Sequence, residues 1–111
     1  MAVYANLTVD QGSQFVSTIT VEDGSGLPYP LTGFTARGMI RRTYTSTTAY
    51  NISCVISRPS EGEIDITLSS TLTGNMKAGR YMYDIEIVNS TTGEITRVVE
   101  GQVEVTPRIT R

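Results

Sequence analysis

The side chains in this sequence that could do chemistry are carboxylates, hydroxyls and guanidinium groups, because the chain has no histidine. That absence removes the commonest general base, the Ser-His and Cys-His nucleophile pairs and imidazole metal ligands. A carboxylate- or lysine-based enzyme is what remains. Glu61, Glu63 and Asp65 form the densest acidic run, and Asp84 and Glu86 repeat the two-residue spacing. On a strand, residues two apart lie side by side on one face. Glycoside cleavage needs carboxylates opposed across a cleft. The spacing therefore predicts solvated strand faces, and the chain is expected to have no catalytic residues.

The segment Glu22-Asp23-Gly24-Ser25-Gly26 offers two carboxylates among glycines. It lacks the alternate-position ligands and closing glutamate of a calcium loop. Hairpin turns favour these same residues. Gly24-Ser25-Gly26 is also a poor phosphate cradle, since no helix follows to supply its N-terminus. No metal or cofactor is expected. Cys54 is the only cysteine, so no intrachain disulfide can form and the fold must stand on packing and hydrogen bonds. Cys54 reads as a small inward apolar residue. The Asn-X-Ser/Thr triplets at Asn6, Asn51 and Asn89 carry meaning only in a secreted chain.

Recognition chemistry is better represented. Arg37, Arg41 and Arg42 form the one basic cluster, with Tyr44 and Tyr50 close by. Arginine and tyrosine are the residue types enriched at protein-interface hot spots; the plainer reading is a charged surface strand. Arg37, Arg41, Arg42 and Tyr44 are the candidate interface residues. The polar stretch Thr43–Thr48 is either a loop or an edge strand able to accept another chain's strand. Ala2–Asn6 and Arg108–Arg111 are expected to reach to neighbours. A net charge of −2, with a pI near 5.0 and scattered basic residues, weighs against a nucleic-acid binder, which needs a basic face.

Strands must position these groups, because the dominant period is two. Val3, Ala5, Leu7 and Val9 alternate with polar residues, as do Phe15, Ser17, Ile19 and Val21. Leu27-Pro28-Tyr29-Pro30-Leu31-Thr32-Gly33 cannot feed a central ladder and is expected to be an extended crossing loop. Further alternations run through Phe34–Ile40, Tyr50–Ile56, Ile64–Leu68, Tyr81–Ile87 and Ile95–Val105. Arg97 breaks the inward set of the last run, which predicts a bulge or sheet edge beside it. Only Ser69–Ala78 allows a helical turn, with Leu72 and Met76 on one face. At 111 residues the chain is expected to be one domain over 1–111, since domains commonly take about 100–150 residues. About seven short antiparallel strands with frequent turns predict an all-β, immunoglobulin-like β-sandwich. In such folds a tyrosine after a short turn often pins the crossover through its hydroxyl; Tyr81 is the candidate for that tyrosine corner. No stretch approaches the roughly 20 apolar residues of a membrane span, and the N-terminus lacks a secretory pattern, so synthesis in a reducing cytoplasm is expected.

The residues Leu31-Thr32-Gly33, Gly62-Glu63-Ile64, Gly79-Arg80-Tyr81-Met82-Tyr83-Asp84-Ile85-Glu86 and Thr92-Gly93-Glu94-Ile95-Thr96-Arg97-Val98-Val99-Glu100-Gly101, continuing to Val103-Glu104-Val105-Thr106-Pro107, carry a resemblance. The chain resembles small immunoglobulin-like virion domains of tailed phages, among them the N-terminal modules of baseplate upper proteins and structural proteins of cyanophages. The similarity runs over nearly the whole chain and rests on turn glycines and core positions, which encode a fold rather than a task. It implies a structural virion component, present in many copies or as a homo-oligomer in the particle and bound through protein–protein contacts to other virion proteins of the capsid, neck, tail or baseplate. It implies localisation to the particle after synthesis in the bacterial host, with no nucleic-acid or membrane partner. The chain stops at Arg111 without a following fibre or receptor-binding segment, which favours an accessory role such as capsid decoration. The alternative is an adhesion module for host carbohydrate, suggested by the Tyr and Thr content. With no Trp and only 7% aromatic residues, its stacking platform would be thin.

Overall fold

The computed structural model describes residues 3–109. Its strands follow the alternating segments: β1 (Val3–Tyr4), β2 (Leu7–Asp10), β3 (Phe15–Thr20), β4 (Phe34–Arg41), β5 (Ala49–Arg58), β6 (Glu63–Leu68), β7 (Gly79–Asn89) and β8 (Ile95–Thr106). The α-helix, α1 (Ser70–Asn75), lies inside the expected Ser69–Ala78 stretch, but that stretch is not alone in turning helically. A short 3-10 turn over Pro59–Glu61 follows β5, with Pro59 at its start and Gly62 in the left-handed region ending it. Ser69 caps α1, its hydroxyl accepting from the Leu72 amide at 3.2 Å, which satisfies one of the free amides at a helix start. Met76 is fully buried beneath it and Leu72 packs half-buried on the same core.

The strands join in the order β1-β8-β7-β4-β5-β6-β3, with β2 also paired to β8. β5 makes the sheet curl. Its first residues pair with β4, from Arg41↔Ala49 to Gly38↔Ile52, and from Ser53 onward it pairs with β6. One strand thus serves a larger half (β1, β2, β8, β7, β4) and a smaller half (β6, β3). Inward residues of both halves, including Ile40, Ile52, Ile64, Ile66, Tyr83, Ile85 and Val103, form one apolar cluster. The proline-bearing segment crosses between the halves outside the central ladders, as expected, with an isolated antiparallel bridge from Pro28 to Glu22. Its Leu31 is buried in the same core, and the Leu31 amide donates to Pro59 O at 2.7 Å.

The N-terminal part differs from the expectation of about seven antiparallel strands. The described residues form eight strands, and both β1 and β2 run parallel to β8. The single alternation Val3–Val9 is broken at Ala5–Asn6. There Ala5 N donates to Glu100 O at 2.9 Å, Ala5 O accepts from the Tyr83 hydroxyl at 2.7 Å, and Asn6 Oδ1 accepts from Gln102 N at 3.1 Å. The opposing residue is Gly101, where any Cβ would strike Ala5 O. Close backbone approach and side-chain capture interrupt the strand, and alternation alone does not encode strand direction.

The irregularity expected at Arg97 is a β-bulge. Ile85 pairs with Val99 and Glu86 with Arg97, which leaves Val98 as the extra residue. Val98 and Val99 are consequently both buried. Upstream of the bulge the parity inverts, so Ile95, expected inward, is 51% exposed instead. Thr43–Thr48 is a loop rather than an edge strand, with a turn bond from Ser46 N to Thr43 O.

Candidate functional site

The outward residues of β4, β7 and β8 form a grid whose rows are cross-strand partners. Arg37 lies opposite Glu86 and Glu86 opposite Arg97; Met39 opposite Asp84 and Asp84 opposite Glu100; Arg41 opposite Met82 and Met82 opposite Gln102. Asp84 is its centre. Arg37 Nε reaches Glu86 Oε1 at 3.1 Å. Arg97 turns diagonally, with Nε 3.4 Å from Asp84 Oδ2 and Nη1 3.9 Å from Glu100 Oε1. Burial holds the Asp84 carboxyl above its ordinary range, helped by Glu86 and Glu100 and opposed by Arg97 and Arg41.

A depression of about 320 Å³ lies over two rows of this grid, lined among others by Tyr4, Met39, Arg41, Tyr44, Met82 and Asp84. The loop after β4 forms one wall because Arg41 Nη1 donates to Ser46 O at 2.6 Å. Tyr4 and Tyr44 stand on the rim, 64% and 81% exposed. A second concavity of about 540 Å³ adjoins it around Arg37, Gly38 and Asn51 and shares Met39, Arg41 and Asp84.

The four candidate interface residues therefore divide. Arg41 and Tyr44 meet on the depression, and Arg37 borders the adjoining concavity. Arg42 points to the other side, its guanidinium 4.8 Å from the Tyr81 ring centroid, because neighbours along an extended chain face opposite ways. Tyr50 also belongs there, edge-on to Tyr81 at 6.2 Å. The Tyr81 hydroxyl donates to Lys77 O at 2.7 Å. Sequence reading did not single out Met39 or Met82 for this face, and it touched Tyr4 only as part of the reaching segment Ala2–Asn6 and Arg97 only as the mark of a bulge. Their outward parity was readable, but their adjacency required the strand register.

Among the other acidic groups singled out from the sequence, Asp65 and Asp23 are held by hydrogen bonds within the fold. Asp65 Oδ1 accepts from Thr18 Oγ1 at 2.8 Å and Ser57 Oγ at 3.2 Å. Asp23 Oδ1 accepts from the Ser25 and Leu27 amides at 2.8 and 3.1 Å, which makes it a turn-former. Burial pushes the Cys54 thiol up to about 11. Of the segments expected to reach outward, Val3–Tyr4 is a strand on β8 and the Arg108 amide meets Gln11 Oε1 at 3.4 Å. Ala2, Thr110 and Arg111 lie outside the described residues.

No family model matches the chain, and no curated protein matches it. Among solved structures, Listeria monocytogenes InlP is similar at 16% identity and a TM-score of 0.50, over 95% of this chain. The chain spans 28% of that protein's length. The Lin-41 filamin domain is similar at 13% identity and a TM-score of 0.47, over 89% of this chain and 82% of that one. A family 123 glycoside hydrolase from Clostridium perfringens is similar at 11% identity and a TM-score of 0.43, over 97% and 24%. None of the three is named as a phage protein. At these identities the likeness concerns the course of the chain alone, which is all-β.

Proposed function

We propose that the chain is an immunoglobulin-like β-sandwich domain that serves as a structural component of a tailed-phage virion, held to other virion proteins through protein–protein contacts. The observation that carries the contact role is the outer face of β4, β7 and β8. It combines exposed Tyr4, Tyr44 and Met39 with Arg41 over a depression. Tyrosine, methionine and arginine are the types enriched in protein interfaces. The sandwich reading is supported by the two sheet halves that share β5 and enclose one core. The Tyr81–Lys77 bond supports reading Tyr81 as a tyrosine corner. The virion assignment itself rests on the sequence resemblance. Quantitative mass spectrometry of purified particles tests it: the chain is expected at a fixed ratio to the shell or tail protein, and its absence overturns the assignment.

The same depression favours one second reading, the carbohydrate-binding module. Two exposed tyrosines flank carboxylate and amide groups able to meet sugar hydroxyls. Glycan-array binding that is lost in Tyr44→Ala would favour it over the first reading.

A further inference from the structure

The two ends of the sheet are treated differently. At one end β1 has two residues and a kink separates it from β2, so little continuous edge is offered. At the other end β3 pairs only with β6, in unbroken register from Phe15↔Leu68 to Thr20↔Glu63. Between Phe15 and Thr20 there is no charged residue and no proline, the devices with which sheets usually block an edge. No residue of β3 is fully buried, and Val16 is 61% exposed. The Val21 amide donates toward β6, to Gly62 O. Alternation from there turns the backbone groups of Val16, Thr18 and Thr20 outward.

We infer that β3 is an association edge that pairs antiparallel with β3 of a second copy of this chain, about a two-fold axis at Ser17. That register places Val16 opposite Thr18 of the other copy, so their outward backbone groups exchange hydrogen bonds. It places Phe15 opposite Ile19, which covers two residues left half-buried on the core face. The Thr18 hydroxyl is already donated to Asp65, so its methyl is free to pack on Val16. The two Asp65 carboxylates come to lie three strand spacings apart, about 14 Å, beyond the screening distance of about 8 Å at physiological salt. Like charges are thus kept apart without a basic partner. The inference is independent of any role in a virion.

Sedimentation equilibrium of the purified chain tests it. The wild type is expected to pass from monomer to dimer mass as concentration rises. Val16→Lys, and separately Thr18→Lys, should stay monomeric over the same range while keeping the wild-type circular dichroism and melting transition. In a Cys54→Ala background, Ser17→Cys should form an intermolecular disulfide on mild oxidation, because Ser17 faces its own copy across the axis. A monomeric wild type, a dimer indifferent to Val16→Lys, or a dimer that Ser17→Cys fails to link would each overturn the inference.

Discussion

Tyr81 and Tyr83 each combine a buried ring with a hydroxyl bonded to a backbone carbonyl, Lys77 O and Ala5 O respectively. Tyr81→Phe keeps the ring, the Tyr50 contact and the Arg42 stack while removing one bond. It should lower stability by about 1 kcal/mol, read as a shift in denaturation midpoint at constant slope. Asp84 behaves differently because its folded pKa is raised, chiefly by burial. An acid of this kind retains in the folded state a proton that the unfolded chain has released. Its penalty is absent below the ordinary value of 3.8, grows as pH rises from there and is complete above the folded value. Asp84→Asn removes that penalty. Its melting temperature should therefore gain on the wild type from acid to neutral pH, and parallel profiles would contradict the assignment. The effect is small because the side chain is partly exposed and screened. Arg42 shows what one residue of sequence can tell: standing next to Arg41, it had to face the other way, and parity already separated it from the proposed cluster.

At the scale of elements, β8 is where local pattern and global register part company. The alternation through Val99, Gly101, Val103 and Val105 identified a strand, and the outward Arg97 located the bulge. The parity inversion that exposes Ile95 follows only from the pairing with β7. β1 and β2 were legible as extended segments. Their direction was not, because a parallel neighbour and an antiparallel one demand the same alternation. The grid on the outer face was hidden for the same reason, since Met39, Met82 and Glu100 become neighbours only through contacts distant in sequence. Gly101 carries the clearest consequence at this level. A methyl group there would collide with Ala5 O and force β1 away from β8. Gly101→Ala should cost about 1–3 kcal/mol, as overpacking does. The loss should show locally in hydrogen exchange, with the Ala5 amide, bonded to Glu100 O, losing protection while the β6 amides keep theirs.

The molecule as a whole separates what holds it together from what it presents. Because β5 belongs to both halves and their inward residues form one cluster, neither half has a core of its own. Ile66→Ala in the smaller half and Ile85→Ala in the larger should each cost about 2–5 kcal/mol. Both should lower one shared transition rather than split it, whether followed by fluorescence or circular dichroism. The outer grid contributes little to that core. Its ion pairs are partly exposed, and exposed pairs add about 0–1 kcal/mol each. Tyr44, 81% exposed, can be removed without opening a cavity. Tyr44→Ala and Met39→Glu should accordingly leave the melting temperature within about a degree or two, since surface changes usually stay within ±0.5 kcal/mol. If this face makes the proposed contacts, the same variants should compete poorly with wild type for incorporation into particles assembled from a mixture. Equal incorporation of folded variants would remove the face from the interface, whatever the particle proteomics shows.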